Sequence, residues 1–230
     1  MTKHREFWNK EYKTAAHFAL SEAAAGDLEK FCRWLERHHG RRLLNVTTQV
    51  LDLGSGNGRN LIYLAQNYGM RGIGYDISTE GVKLAQKNSE NLPIKYVPRA
   101  IEGPLDIPDQ SVSLVLDMMT SHFLKAKDRE VLRSEILRVL KPGGWLFFKS
   151  FLADEDLHVK RLLKENAADE EHAYIHPRSG LYEYTWTEQA MYDFFSLYFT
   201  VHKIERSHKH IRDGKANKRR SIVVYLQKPL

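Results

Sequence analysis

A single cysteine, Cys32, occurs in 230 residues, so no disulfide can close within the chain. Leu28, Phe31 and Leu35 surround it at helical spacing, which predicts a buried helix residue rather than a nucleophile. No apolar run reaches 18 residues, which excludes a helical membrane span. The first residues lack the apolar stretch of a secretory leader, and a soluble, cytoplasmic protein is expected. Repeats, low-complexity tracts and Pro/Ser-rich linkers are also missing. A single domain over 1–230 is therefore expected, with N-terminal helices over 1–45, a core over 46–152, and substrate-side helices and terminal strands over 153–230. The net charge is +6, yet Lys203–Arg220 alone holds eight Lys/Arg against two Asp/Glu. The remainder carries 27 residues of each sign and is neutral.

The chain does have a regular alternation. The opening reads as two helices, near Thr2–Leu20 and Gly26–His39. From Gln49 onward strands at 50–53, 72–75, 94–97, 112–116 and 145–151 are interleaved with helices at 60–68, 79–88 and 127–140. Strand–helix alternation implies right-handed crossovers and a parallel sheet. A helix at 188–197 precedes two strands, 199–204 and 221–226, joined by a polar connection without a helix. Those two are expected to be antiparallel neighbours. The predicted fold is α/β: a doubly wound, mostly parallel seven-stranded sheet with a terminal antiparallel hairpin and an N-terminal helical lid.

The chemistry concentrates in Val50-Leu-Asp-Leu-Gly-Ser-Gly-Asn-Gly-Arg59. Gly54, Gly56 and Gly58 fall between a strand and a helix, where a tight turn needs positive φ and a ligand can approach only where no Cβ intrudes. The helix that follows offers unpaired N–H groups. A dinucleotide fingerprint, G-x-G-x-x-G, would need glycine at position 59, which is arginine. Asp52 stands two residues before the first glycine, where a carboxylate suits a cationic ligand and not a pyrophosphate. The next strand ends at Asp76, at the tip where open α/β sheets bind ligands. A carboxylate there can accept both hydroxyls of a ribose, leaving Ser78 to cap the next helix.

These residues resemble motif I and the acidic loop of the class I S-adenosylmethionine (SAM)-dependent methyltransferases. Two further stretches are similar to family motifs in the same order: Asp106-Ile-Pro-Asp-Gln-Ser-Val-Ser-Leu-Val-Leu-Asp117, and Leu137-Arg-Val-Leu-Lys-Pro-Gly-Gly-Trp-Leu-Phe147. The family also ends in an antiparallel strand pair. The resemblance covers about 49–150 well and the rest loosely. It implies SAM as the cofactor, S-adenosylhomocysteine as the product, and no metal. The implied cofactor contacts are Asp52, Gly54, Ser55, Gly56, Asn57, Gly58, Asp76, Ile77, Asp117 and Met118. Many relatives place an Asp after the third strand for the adenine amino group. Here Pro98-Arg-Ala-Ile-Glu102 has none, so backbone groups of Ala100 and Ile101, or Glu102, take that place. Phe7-Trp-Asn-Lys-Glu-Tyr12 resembles the start of small-molecule branches of the family. Trp8 and Tyr12 share a helix face and suit a sulfonium by cation–π attraction.

The acceptor side is less legible, because an activated methyl donor needs alignment and dryness more than a strong base. His122, after the fourth strand, is the candidate general base or substrate contact; packing and capping of its loop is the competing role. The stretch Glu171–Trp186 is rich in Tyr, His and Arg and suits a polar or aromatic acceptor. His172 and His176 lack a third ligand for a metal. Asp154-Glu-Asp156 reads as a solvated helix start. The first expectation for the acceptor is a small metabolite. An RNA, tRNA in particular, is the alternative, bound through Lys203–Arg220 on a loop turning at Asp213-Gly214, with Arg33, Arg37, Arg41 and Arg42 as a possible extension. A non-catalytic SAM-binding regulator is the alternative of another class. Oligomeric state and methylated atom are not legible.

Overall fold

A computed structural model describes residues 2–14, 21–206, 211–212, 215–216 and 219–230. The elements run α1 (Thr2–Thr14), α2 (Gly26–His39), β1 (Gln49–Leu53), α3 (Arg59–Tyr68), β2 (Arg71–Asp76), α4 (Thr79–Asn88), β3 (Ile94–Pro98), β4 (Val112–Met118), α5 (Ala126–Val139) and β5 (Leu140–Phe151). They continue with α6 (Leu157–Asn166), β6 (Ala173–Ile175), β7 (Tyr182–Tyr184), α7 (Glu188–Ser196), β8 (Thr200–Arg206), the short pair β9 (Ile211–Arg212) and β10 (Lys215–Ala216), and β11 (Ser221–Gln227). No helix among the described residues is long and apolar enough to cross a membrane.

Seven strands form the main sheet in the order β3-β2-β1-β4-β5-β11-β8. Pairing is parallel from β3 through β5, and β11 lies antiparallel to both β5 and β8. The predicted fold class is therefore the observed one, with β11 inserted between β5 and its hairpin partner. The strand order reverses between β1 and β4, and open α/β sheets bind ligands at the carboxyl ends of strands flanking such a reversal.

Period-two alternation divides the side chains between two cores. Val50, Leu114, Leu116, Trp145, Phe147, Val223 and Tyr225 face α2, α3 and α4. Leu51, Leu53, Val115, Leu146, Phe148, Ile222 and Val224 face α5, α7 and the β6–β7 hairpin. Cys32 is fully buried on α2 with Leu28, Phe31 and Leu35, as its spacing predicts. Phe31 stacks on Phe147 at 4.8 Å between ring centroids. Thus α2 covers a sheet face and meets the ligand end only at its N-terminus, whereas α1 lies over it.

Several local features depart from the expectation. Pro142-Gly-Gly144 does not precede β5 but bulges within it. Val112 pairs with Leu140, and the register then shifts so that Leu114 pairs with Trp145. Gly143 takes φ +72 in that bulge. The β6–β7 hairpin was not foreseen; its strands are three residues each, too short for an alternation to register. Asp156 is not solvated. It is fully buried, caps α6 by accepting from the His158 and Val159 backbone N–H groups, and also accepts from the Arg220 N–H. Asp154 likewise accepts from the Glu188 N–H at 2.7 Å, and Glu155 pairs with Arg220. The acidic run is a clamp joining α6, α7 and the start of β11. Residues 15–20 of the first predicted helix lie outside the described residues.

Candidate donor site and its acceptor side

Gly54, Gly56 and Gly58 take φ of +78, +56 and +82, the left-handed region that favours glycine. A Cβ on Gly54 would run into the Thr120 side chain, one on Gly56 into the Tyr12 hydroxyl, and one on Gly58 into the Tyr96 hydroxyl. The loop thus holds close approaches from both sides. Asp76 ends β2 and braces the loop: Oδ2 accepts from the Gly56 N–H at 2.8 Å and Oδ1 from the Ser78 N–H at 2.7 Å. Ser78, and not Asp76, caps α4, accepting from the Gly81 N–H. Each Asp76 oxygen keeps acceptor capacity beyond its one bond.

Two adjoining cavities open here. The first, about 290 Å³, is bounded by Gly54, Asp76, Ile77, Ala100, Ile101, Glu102, Met118 and Thr120, and by His4, Trp8 and Tyr12. The second, about 180 Å³, is bounded by Ser55, Gly56, Asn57, Asn60 and Lys149. Tyr12, Gly54, Arg59, Met118 and Met119 border both, so they are two lobes of one trough.

Helix α1 forms the roof. His4, Trp8 and Tyr12 recur every four residues and so share one face, the face turned to the first lobe. Trp8 and His4 each meet Phe123 edge-on at 5.8 Å. Asn9 ties the helix down: its Oδ1 accepts from Ser78 Oγ at 2.8 Å and from the Glu80 N–H at 3.3 Å. Burial pushes the Tyr12 hydroxyl well above its ordinary pKa, with the Asp76 charge adding to the effect.

Three of the candidate cofactor contacts stand behind the walls and do not line either lobe. Gly58 packs beneath α4. Asp52 and Asp117 are 1% and 2% exposed. Asp117 accepts from the Ser121 N–H at 3.1 Å and fixes the turn after β4. Asp52 Oδ2 has no hydrogen-bond partner. Burial pushes Asp52 up to about 7, assisted by the Asp76 charge and opposed by Arg59. Burial also pushes Asp117 up to about 6. These two, with Asp76, sit at the ends of neighbouring strands β2, β1 and β4 and concentrate negative potential beneath the trough.

The sequence reading missed Arg59, Thr120 and Lys149. Arg59 served there only to exclude a dinucleotide. Met119 takes φ +63, unusual for a non-glycine residue, and its N–H is held by the Lys149 carbonyl. Lys149 pairs with Asp27 at 2.6 Å.

His122 does not line the trough. It is 2% exposed, packs between Phe123 and Phe151, and its Nδ1 has no partner. Burial lowers it to about 3, so the ring is neutral. Behind Phe151 lies Arg219, its guanidinium 3.2 Å from that ring centroid. Arg219 Nη1 donates to Glu183 at 2.6 Å, and Tyr174 donates to the same carboxylate at 2.8 Å.

The basic segment is less free than its composition suggests. Lys203 pairs with Glu205, Arg206 with Glu188, Arg219 with Glu183 and Arg220 with Glu155. The side chains of residues 207–218 lie outside the described residues, and with them Lys209, Arg212, Lys215 and Lys218. Arg33 on α2 and Arg41 in the turn just after it also have acidic partners, Glu29 and Glu36. No group of three or more His, Cys, Asp or Glu among the described residues is placed to hold a metal ion.

A parallel sheet with an inserted antiparallel strand, a glycine loop and an acidic strand tip define a class, the Rossmann-like α/β proteins. Residues 51–148 match the model of the Methyltransferase domain family. Carboxy-S-adenosyl-L-methionine synthase of Klebsiella pneumoniae is 30% identical over 126 residues, 53% of this chain and 51% of that protein. Arsenite methyltransferase of Aquipseudomonas alcaligenes is 33% identical over 133 residues, 53% of this chain and 36% of that protein. This chain thus spans about half, or less, of those two relatives. A SAM-dependent methyltransferase structure from Methanosarcina mazei superposes with a TM-score of 0.70 at 21% identity, covering 84% of this chain and 96% of that one. A structure of 1,6-didemethyltoxoflavin-N1-methyltransferase from Burkholderia thailandensis, with bound 1,6-didemethyltoxoflavin and S-adenosylhomocysteine, has a TM-score of 0.70 at 19% identity. It covers 100% of this chain and 88% of that one. Residues 51–148 thus match the Methyltransferase domain family, and the fold is the one seen in the solved methyltransferases.

Proposed function

We propose that the protein transfers a methyl group from SAM to a nucleophilic atom of a small-molecule acceptor. The observation that carries this reading is the trough itself: a glycine loop braced by Asp76, underlain by buried carboxylates and roofed by α1. The residues present fit the cofactor. The glycine loop borders the trough with backbone alone, and the orphaned Asp52 carboxylate suits a positive charge. Asp76 would accept from the ribose hydroxyls, Ile77, Ala100 and Ile101 would flank the adenine, and Arg59 or Lys149 would meet the carboxylate of the methionyl end. Bound SAM supplies a methyl group already activated by its sulfonium. The chain's task is then to align the acceptor and exclude water; Trp8, Tyr12 and Phe123 do the excluding.

The small acceptor is favoured over RNA because α1 closes over the trough. Arg206, Lys203, Arg219 and Arg220 are also paired within the chain and not presented to phosphates. Calorimetry with SAM, S-adenosylhomocysteine and NAD tests the donor; binding of NAD alone would defeat the reading. Labelled SAM incubated with a low-molecular-weight extract fraction and with an RNA fraction tests the acceptor. Label in the RNA alone would move the acceptor to nucleic acid, and donor binding without transfer to any fraction would favour a non-catalytic binder.

A further inference from the structure

The first lobe of the trough has an outer end that the second lobe does not reach. Tyr12, Gly54, Arg59, Met118 and Met119 border both lobes, whereas His4, Ile101, Glu102, Phe123 and Leu124 border the first alone. Along α1, His4 stands two turns from Tyr12, a rise of about 12 Å. The outer end combines apolar walls with two polar side chains. Ile101 and Leu124 are buried in one apolar cluster, and Phe123 meets both His4 and Trp8 edge-on at 5.8 Å. The polar side chains are His4, from the roof helix, and Glu102, from the loop after β3.

Glu102 rides on a braced loop. Arg99 folds residues 99–104 around its guanidinium: Nη2 donates to the Pro104 carbonyl at 2.7 Å and Nε to the Ala100 carbonyl at 3.3 Å. The Arg99 N–H donates to the Asp76 carbonyl at 2.8 Å, which fixes the loop to the strand end that carries Asp76. Gly103, at φ +77, turns the chain just after Glu102. The Ala100 carbonyl is thus already engaged, while the Glu102 carboxylate is free. Neither His4 nor Glu102 makes a hydrogen bond or an ion pair among the described residues, and both are half-buried. Burial lowers the His4 pKa, with Glu102 opposing and Lys3 adding to the effect. The ring is therefore neutral at neutral pH and offers one N–H and one lone pair, whereas an ionised carboxylate only accepts. A donor and an acceptor at the rim of an apolar slot match the edge of a 6-aminopurine, whose amino group donates and whose adjacent ring nitrogen accepts.

We propose that His4 and Glu102 together read the base of the adenosyl donor: the Glu102 carboxylate accepts from the 6-amino group and the His4 N–H donates to N1. Of the groups the sequence leaves for this task, the backbone of Ala100 and Ile101 or the Glu102 side chain, Glu102 is the one with its acceptor free. His4 is an addition from the roof. Because it belongs to α1, the base is read in full only when the roof is closed over the trough. The order along the trough is then base at the outer end, ribose at Asp76, and the charged methionyl end in the second lobe. The proposal rests on the methyltransferase reading for the identity of the donor, but its test needs no turnover.

The probes are S-adenosylhomocysteine, S-inosylhomocysteine, in which a carbonyl oxygen replaces the 6-amino group, and the 1-deaza analogue, in which a C–H replaces N1. Each is titrated by calorimetry into the wild type, Glu102→Gln and His4→Ala. The wild type should prefer S-adenosylhomocysteine to the inosyl compound by about tenfold or more, because the carbonyl oxygen would face a carboxylate. Glu102→Gln should cut that preference to about threefold or less, since the amide can turn its NH₂ toward the oxygen. His4→Ala should weaken S-adenosylhomocysteine by roughly fivefold and leave the 1-deaza analogue unchanged, because that ligand already lacks the bond. Both side chains are half-buried and unpaired, so both variants should keep the wild-type melting temperature. Equal wild-type binding of the adenosyl and inosyl compounds overturns the proposal. A preference that survives Glu102→Gln assigns the reading to the backbone and overturns the role of Glu102. Equal losses of S-adenosylhomocysteine and the 1-deaza analogue in His4→Ala overturn the role of His4. Binding of none of the three by the wild type overturns the methyltransferase reading itself, and the proposal with it.

Discussion

The orphaned carboxylate of Asp52 makes the charge of the donor measurable. Asp52 is fully enclosed, its Oδ2 unpartnered, and burial holds it at about 7 against an ordinary value of 3.8. Without ligand, the folded state therefore disfavours the ionised form. The sign follows: a raised carboxylate pKa stabilises nothing at neutral pH. Its penalty is absent below about pH 4 and grows as pH rises toward 7. A sulfonium above the loop favours the ionised form, and an opposite charge nearby lowers a carboxylate by about 1–3 units. Linkage then makes SAM bind more tightly as pH rises. For a free-state value of about 7, the gain between pH 5.5 and 8.5 is roughly eightfold for a one-unit shift and about thirtyfold for a three-unit shift.

The amino and carboxyl groups of the donor titrate too, so the useful quantity is the ratio of SAM to S-adenosylhomocysteine affinity. The two share those groups, and only SAM carries the sulfonium. Calorimetry across that pH range should show the ratio rising in favour of SAM. Asp52→Asn should flatten most of the rise, leaving a smaller part centred near the Asp117 value of about 6. The same variant should raise the melting temperature of the ligand-free protein at pH 8, because it removes a buried charge worth on the order of a few kcal/mol. A ratio that stays flat in the wild type would refute the reasoning, since Asp52 would then be a neutral structural acid at every pH tested.

Asp76→Ala should weaken SAM by roughly 1–3 kcal/mol, through lost charge-assisted bonds to the ribose, and lower the melting point modestly because the Gly56 and Ser78 N–H groups lose their acceptor; unchanged affinity by calorimetry removes Asp76 from the site. Removing residues 1–14 should leave a folded domain, because α2 and the sheet cores do not depend on α1, but cut turnover by about tenfold or more as water enters the trough. A truncated protein that turns over at the full rate would discard the roof. Lys209, Lys215 and Lys218, replaced together by Ser, should leave tRNA binding unaltered under a small-molecule function; steeply salt-dependent wild-type binding that the triple variant weakens would restore the RNA alternative.

The core was legible because its signals are local. Gly54, Gly56 and Gly58 announce their backbone angles through residue type, and Asp76 follows a strand by direct adjacency. Alternation at 145–148 and 222–226 states which residue meets which face. The bulge at Pro142–Gly144 was misplaced because a proline and two glycines look alike whether they interrupt a strand or precede it. The difference lies in the partner strand, where Val112 and Leu114 skip four residues of β5. Trp8 and Tyr12 were legible as a shared face, but what that face covers is a tertiary fact.

The acceptor side was hidden because its chemistry is made across distance in sequence. Glu183 and Arg219 are 36 residues apart, Asp156 and Arg220 are 64 apart, and neither pair has a spacing rule to betray it. Composition was misleading here in a specific way. Eight cations in 18 residues look like a surface for phosphates, whereas Arg219 and Arg220 turn inward to close acidic clamps on α6 and β7. Counting charges assumes that each faces water, and a buried arginine violates that assumption at both ends. It removes a charge from the surface and places a directional donor in the interior.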